Sequence, residues 1–284
     1  MTIAPISREQ VLQSSHELPG LPTIIFRILE SIDDPEANLA ALAEEIRLDP
    51  LITSRVVSMA NAAALHARHQ RPIEDLHTAI SMIGLESVRS IAITCCFPKL
   101  CGDDAATVHR DFIRHSIAVS ACCRELAQFV DAPVPPETAA ITGLLHDIGR
   151  LWLLRFESER FMQALDSAAR LKRDITQMEQ ELLGCDHATI GLWLAEHWRL
   201  PQWACLAIHR HHTPELADDD ALTALVHVAE VLSHALELPG YRHNQVTHLS
   251  AAACRRLDLV WDNGSQELFS RIEAQSRYAN RLLD

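Results

Sequence analysis

The sequence predicts an all-α protein, a two-lobed helical bundle, and three observations carry that assignment. Glycine (nine) and tyrosine (two) are scarce beside alanine and leucine, a balance that favours helices over pleated sheet. Apolar residues recur three and four apart, as in Ile24, Ile25, Ile28, Leu29 and Ile32. Proline, glycine and aspartate punctuate the chain at helix-length intervals. With 284 residues, 48% of them apolar, there is material for one large core or two small ones.

The elements follow in order. Leu18-Pro19-Gly20-Leu21-Pro22 is a rigid entry to the first helix, over 24–32, and Asp33-Asp34-Pro35 stops it. Asn38 caps a helix that runs to Arg47. Asp49, followed by Pro50 at the first helical position, opens a helix through Ala64 whose apolar face is Leu51, Ile52, Val56, Met59 and Ala60. Beyond an Arg/His-rich loop, Pro72 starts a helix with Leu76, Ala79, Ile80 and Ile83, which Gly84 closes. A further helix carries Val88, Ile91, Ala92 and Cys95 as far as Pro98. This pair of helices has the outline of a helix-turn-helix. Arg89 is the sole basic residue of its second helix, however, so an ordinary helical hairpin is the better reading.

Pro98 to Asp104 is a composition break and the expected domain boundary, giving an N-terminal helical lobe over 1–102. A second helical lobe follows over 103–240, with a C-terminal helical extension over 241–284. Helices are expected at 107–130, 137–155, 157–170, 174–183, 187–199, 201–211 and 220–237, with Pro133, Pro135 and Pro136 separating the first two.

Charge and cysteine content limit the function classes. Lys99 and Lys172 are the only lysines, and the formal net charge is −13. Such a chain has little electrostatic affinity for nucleic acid or anionic lipid. No apolar run approaches the ~20 residues that span a bilayer, and Met1 to Gln10 lacks an apolar signal core. A soluble, cytoplasmic protein is expected, with neither nucleic acid nor membrane as partner. The eight cysteines contain no C-x-x-C and read as small buried hydrophobes in a reducing compartment.

Histidine is the anomaly, with sixteen in the chain. Gly143-Leu144-Leu145-His146-Asp147-Ile148-Gly149-Arg150 sits within the apolar stripe Ile141, Leu144, Leu145, Ile148, Leu151 and Trp152. An adjacent His and Asp buried there need partners, and a divalent cation would supply them. Asp111 and His115 stand four apart on one helix face; His187 opens a helix; His211-His212 ends another. Glu230 lies inside the apolar run Val226 to Leu232, where a carboxylate is out of place. Helix bundles build internal metal sites in this way, one contributor per helix.

At these residues the sequence resembles the HD superfamily of metal-dependent phosphohydrolases, and most closely its HDOD branch (HD-related output domain), a bacterial signalling module. The resemblance rests on His115, His146-Asp147, His187, His211-His212 and Glu230, and on Leu18-Pro19 to Pro22, Asp49-Pro50, Asn61-Ala62-Ala63 and Gly184 to Gly191. It also takes in Ala79-Ile80 to Leu85, Trp198 to Pro201 and Thr213-Pro214, and it covers approximately residues 15 to 240.

The resemblance implies a divalent metal (Fe, Mn, Mg or Zn) held by Asp111, His115, His146, Asp147, His187, His211, His212 and Glu230. Asp147, Arg150 and His212 would then be the catalytic candidates. Compared with the HD-GYP branch, which hydrolyses a cyclic dinucleotide, no Gly-Tyr-Pro follows His211-His212. Arg150 stands in place of a lysine, and Glu230 in place of an aspartate. The expectation is therefore a regulatory module that acts through a signalling protein partner. The alternative is a metal-dependent phosphohydrolase acting on a nucleotide or cyclic nucleotide phosphoester, with a nucleotide-type ligand.

Overall fold

The computed structural model describes residues 5–18, 24, 43, 46–66, 73, 75–96, 107–130, 133–217, 220–238, 248–262 and 264–281. Most of the helices expected over 24–32 and 38–47, the Pro72 start and the break at Pro98–Asp104 lie outside these residues. Among the described residues there are thirteen α-helices and no strand. None of these helices is long and apolar enough to cross a membrane. The chain divides into two compact units, one of Met1–Gly20 with Cys101–Asn280, the other built on Leu21–Leu100.

In the smaller unit α2 (Pro50–His66) packs on α3 (Leu76–Cys96). Asp49 is the expected cap: its Oδ1 accepts the Ile52 N–H at 3.3 Å, while the Thr53 hydroxyl donates to the Ile46 carbonyl at 2.8 Å. The Asn61 side chain exchanges two 2.8 Å bonds with the backbone of Ile73 and so closes the loop between the helices. Asp75 accepts the Thr78 N–H at 2.8 Å at the start of α3. Within α3, Gly84 takes φ 80°, ψ 156°, which breaks the helix at the expected residue. A side chain there would be strained, and glycine is not.

The larger unit begins with α1 (Arg8–Ser14), tied down by an Ile6 N–H bond to the Leu183 carbonyl at 2.9 Å. The indole N–H of Trp152 donates to the Ser14 hydroxyl at 2.9 Å, fixing the other end of α1. The long helix α4 (Thr107–Phe129) packs on α5 (Pro136–Leu145) and on α11 (Ala221–Ala235). Between them come α6 (Ile148–Phe156), α7 (Ser158–Leu171), α8 (Ile175–Leu183), α9 (His187–His197) and α10 (Gln202–Arg210). The chain ends with α12 (Ala251–Arg256) and α13 (Ser265–Arg281).

Helix α11 is apolar on almost every face, as a central helix must be. Its Leu225, Val226, Val228 and Leu232 share one core with Val119, Cys122 and Leu126 of α4 and with Leu257, Leu268 and Ile272 near the C-terminus. Cys122, Cys123 and Cys185 are buried thiols, and burial pushes Cys185 up to about 12. Two ion pairs lock α4: Arg124 pairs bidentately with Glu137 at 2.6 and 3.0 Å, and Glu125 meets Arg271 at 3.1 Å.

One element differs from its expectation. The stretch 137–155 is two helices, α5 and α6, with His146 and Asp147 at the break. His146 keeps helical angles, but Asp147 turns to φ −102°, ψ 17°. The cause is local: the His146 ring Nδ1 takes the Gly143 carbonyl at 2.7 Å, the group that a continuing helix would give to the Asp147 amide.

A buried histidine–aspartate cluster as candidate metal centre

Asp147 is completely buried between its two helices, and five other polar side chains turn their heads towards it. Its Oδ2 lies 2.9 Å from a guanidinium nitrogen of Arg150, 3.4 Å from Nε2 of His146 and 3.5 Å from Nε2 of His115. Its Oδ1 lies 3.2 Å from Nε2 of His187 and 3.7 Å from Nε2 of His211. His212 joins the Oδ1 side, its Nε2 2.9 Å from Nε2 of His187, and its Nδ1 stands 4.0 Å from Glu230. The expected residues thus converge in two groups that share Asp147. One is Asp147, His187, His211 and His212; the other is His115, His146, Asp147 and Glu230. Asp111, half-buried one turn before His115 on α4, belongs to neither group.

The local sequence explains the placement. His187 is the first residue of α9, held there by the cap in which Asp186 accepts the Thr189 N–H at 2.7 Å. Gly184, at φ 78°, ends α8 just before it. Helix α9 can approach α6 because glycines face each other. A Cβ on Gly149 would fall 1.9 Å from the His187 carbonyl oxygen and 2.7 Å from the Gly191 nitrogen. That backbone contact sets the depth at which His187 meets Asp147.

Hydrogen bonds fix the ring nitrogens. His146 and His211 direct Nδ1 at the carbonyls of Gly143 and Ile208, at 2.7 and 2.8 Å. A carbonyl only accepts, so each Nδ1 carries the proton and each neutral Nε2 presents a lone pair to the Asp147 carboxylate. Nε2 of His146 and Nε2 of His211 are buried without a hydrogen bond and face the Asp147 carboxylate, whose Oδ2 is met by Arg150 and whose Oδ1 is met by His187. Lone pairs facing lone pairs in a dry interior are repulsive unless a cation lies among them.

Protonation follows the same environment. Burial pulls the pKa of His115, His146, His211 and His212 down, so these rings are neutral. Burial opposes the charge of Asp147, but the Arg150 guanidinium, with the protonated His187 beside it, outweighs burial and holds the carboxyl well below its usual range. Burial, reinforced by Asp147, lifts Glu230 to about 8. His187 is the exception: burial acts against its proton, yet the Glu179 and Asp147 carboxylates push it up to about 10.

Glu179 was not among the expected site residues. It is fully buried on α8, and its Oε2 accepts both the backbone N–H of His187 at 2.9 Å and its ring Nδ1–H at 2.6 Å. The available signal was its place on the stripe Ile175, Met178, Glu179, Leu183, where an apolar residue belongs. His234 was also missed: it stacks on His115 with ring centroids 5.1 Å apart, and burial with Arg150 nearby brings it down to about 4. The spacing of His227, Glu230 and His234, three then four apart, marks one face of α11. His227 serves the backbone instead, donating from Nδ1 to the His211 carbonyl at 2.7 Å and accepting the Ser250 N–H at Nε2 at 3.0 Å.

The donor set fits a divalent cation. It offers several neutral imidazoles and a carboxylate within 4.8 Å of one another, with the outer nitrogens anchored to carbonyls and a carboxylate as in known histidine–metal sites. Nε2 of His187 and Nε2 of His212 are hydrogen-bonded at 2.9 Å, a separation close to the roughly 3 Å between two adjacent ligands of one such ion.

Known proteins resemble this chain in sequence or in fold. A curated uncharacterized protein from Treponema pallidum (strain Nichols) is 19% identical over 196 residues, which is 69% of this chain. The chain spans 38% of the length of that relative. Among solved structures, an HDOD domain protein with unknown function from Geobacter sulfurreducens superposes with a TM-score of 0.75 at 24% identity, covering 98% of both chains. A protein named "Putative phosphohydrolase" from Shewanella amazonensis SB2B gives 0.73 at 23% identity, covering 96% of this chain and 98% of its own. At these identities the likeness is one of fold. The model of the HDOD domain matches residues 18–214, the span from Leu18 to Pro214 that contains every clustered histidine except His234 together with Asp147, and the chain therefore belongs to the HDOD domain family.

Proposed function

We propose that this chain is a bacterial, cytoplasmic signal-transduction domain whose buried His/Asp cluster holds a divalent cation as part of the fold rather than as a catalyst. The observation that carries this reading is the sealing of the cluster. His146, Asp147, His187 and His211 have no exposed surface, Arg150 and His115 are 1% and 2% exposed, and Glu230 is 6% exposed. A phosphoester needs a path to the reacting centre, and Arg150, which would neutralise phosphoryl oxygens, is turned onto Asp147 instead. Nitrogen-rich ligation favours Fe or Zn over Mg. With a net charge of −13, a protein surface rather than nucleic acid is the partner proposed.

The second reading, a phosphohydrolase acting on a nucleotide-type phosphoester, draws on one feature. The His212 side chain keeps 17% exposure, so the cluster has an edge at the surface. In that reading Asp147, His187, His211 and His212 would hold the cation, which would supply an activated water, and His212 would face the entering phosphoryl group.

The test is elemental analysis of protein purified without affinity-tag metal, for wild type and Asp147→Ala, with turnover measured on cyclic dinucleotides, nucleotides and bis(4-nitrophenyl) phosphate in Mn and Fe. Metal in the wild type alone and no turnover is the expected outcome. Equal metal in both proteins would overturn the metal centre. Turnover that Asp147→Ala abolishes would establish the enzyme instead.

A further inference from the structure

The two halves of the cluster are not equivalent, and we propose that it takes one divalent cation, on the Oδ1 side of Asp147, because the Arg150 guanidinium occupies the place of a second. This inference rests on the metal-holding reading above. Two observations carry it. Arg150 sits 2.9 Å from Oδ2, closer to that oxygen than His146 at 3.4 Å or His115 at 3.5 Å, so the carboxylate oxygen that a cation of this group would need already faces a fixed positive charge.

Access is the second. Every member of the Oδ2-side group is buried, whereas the Oδ1-side group includes His212, the one ligand candidate of the cluster with an intermediate exposure, so an ion can enter there.

The cation on the Oδ1 side would be held by Asp147, His187, His211 and His212, with Arg150 as a positioning residue that keeps Oδ2 engaged.

The measurement is stoichiometry. Protein stripped of metal by chelation and gel filtration is titrated with Mn²⁺ or Zn²⁺ by calorimetry, with elemental analysis of the product. Wild type is expected to bind one equivalent and Arg150→Met two. Two equivalents in the wild type would overturn this inference and leave the metal centre standing; none would overturn both. One equivalent in a folded Arg150→Met protein would also refute it.

Should Arg150→Met fail to fold, His212→Asn and His115→Asn decide in the wild-type background. His212→Asn is expected to weaken the single site by roughly tenfold or more. His115→Asn is expected to leave the affinity within about threefold. The reverse order would place the ion on the Oδ2 side and refute the assignment.

Discussion

His187 carries more of the site than any other residue, because its ring and its backbone are held by one carboxylate. Glu179 Oε2 accepts from both His187 donors, and neither has a route to water. Glu179→Ala should therefore leave two buried donors unpaired, at about 1–3 kcal/mol each, and lower metal affinity by roughly 10- to 100-fold. Glu179→Gln keeps a carbonyl oxygen for the same two donors and should lie between the alanine variant and wild type in both denaturant midpoint and affinity. Equal losses in the two variants would mean that charge, not hydrogen-bond placement, is what Glu179 supplies.

Ser250 does similar work for α12. Its hydroxyl accepts the Ala253 N–H at 3.2 Å and donates to Glu215, which holds that exposed carboxyl below its usual range. A depressed carboxyl stabilises the fold above its unfolded pKa of about 4.3 and loses that contribution as pH falls through the folded value. Ser250→Ala should cost about 1 kcal/mol at pH 7, chiefly as a lost cap, and the gap between wild type and variant should narrow at pH 4 and below. A gap that widens there in urea melts would contradict the assignment.

Among the elements, the contact between α6 and α9 decides whether the site exists, and it depends on a missing side chain. A methyl group on Gly149 would meet the backbone of His187, which cannot rotate away. On Gly191 it would meet chiefly Ile208 Cγ2 at 2.8 Å, the end of a flexible side chain. Gly149→Ala is thus expected to destabilise by about 3 kcal/mol or more, and Gly191→Ala by less. A Gly149→Ala protein within about 1 kcal/mol of wild type in thermal melts would show that the two helices slide freely. Most elements of this kind were legible in the sequence, because their signals are local: Asp49 as a cap, Gly84 as a stop, Gly184 before His187. The break at Asp147 was not, since the apolar stripe from Ile141 to Trp152 continues through it in helical register. It arises from a side chain, the His146 ring, displacing a backbone donor. The convergence of His115, His146, Asp147, His187, His211, His212 and Glu230 was legible as a set, while Glu179 and His234 were hidden on helices that look conventionally amphipathic or apolar.

For the whole molecule, the cluster joins parts of the chain that are far apart in sequence. His115 on α4 and Glu230 on α11 are among its members, with α6, α9 and the end of α10 between them. A cation bound there stabilises only the folded arrangement of all these segments, so its contribution belongs to the larger unit as one body. At a free concentration a hundredfold above Kd it adds about 2.7 kcal/mol. For a unit of this size that corresponds to roughly 5–10 °C in Tm. Among the described residues, the smaller unit, in which Asn61, Ile73 and Asp75 organise α2 and α3, contributes none of the clustered ligands. Chelation should therefore lower the transition of the larger unit by that amount and accelerate amide exchange in α4, α6, α9 and α11, while exchange in α2 and α3 stays unchanged. Restoring Mn²⁺ or Zn²⁺ should recover both the Tm and the protection, because the ligands that reverse the loss are fixed by backbone carbonyls and Glu179 rather than created by the ion. If exchange rose uniformly over both units, or if Tm did not move on chelation, the cation would not be part of the fold, and the repulsion among the inward-facing lone pairs would have to be relieved by protons alone.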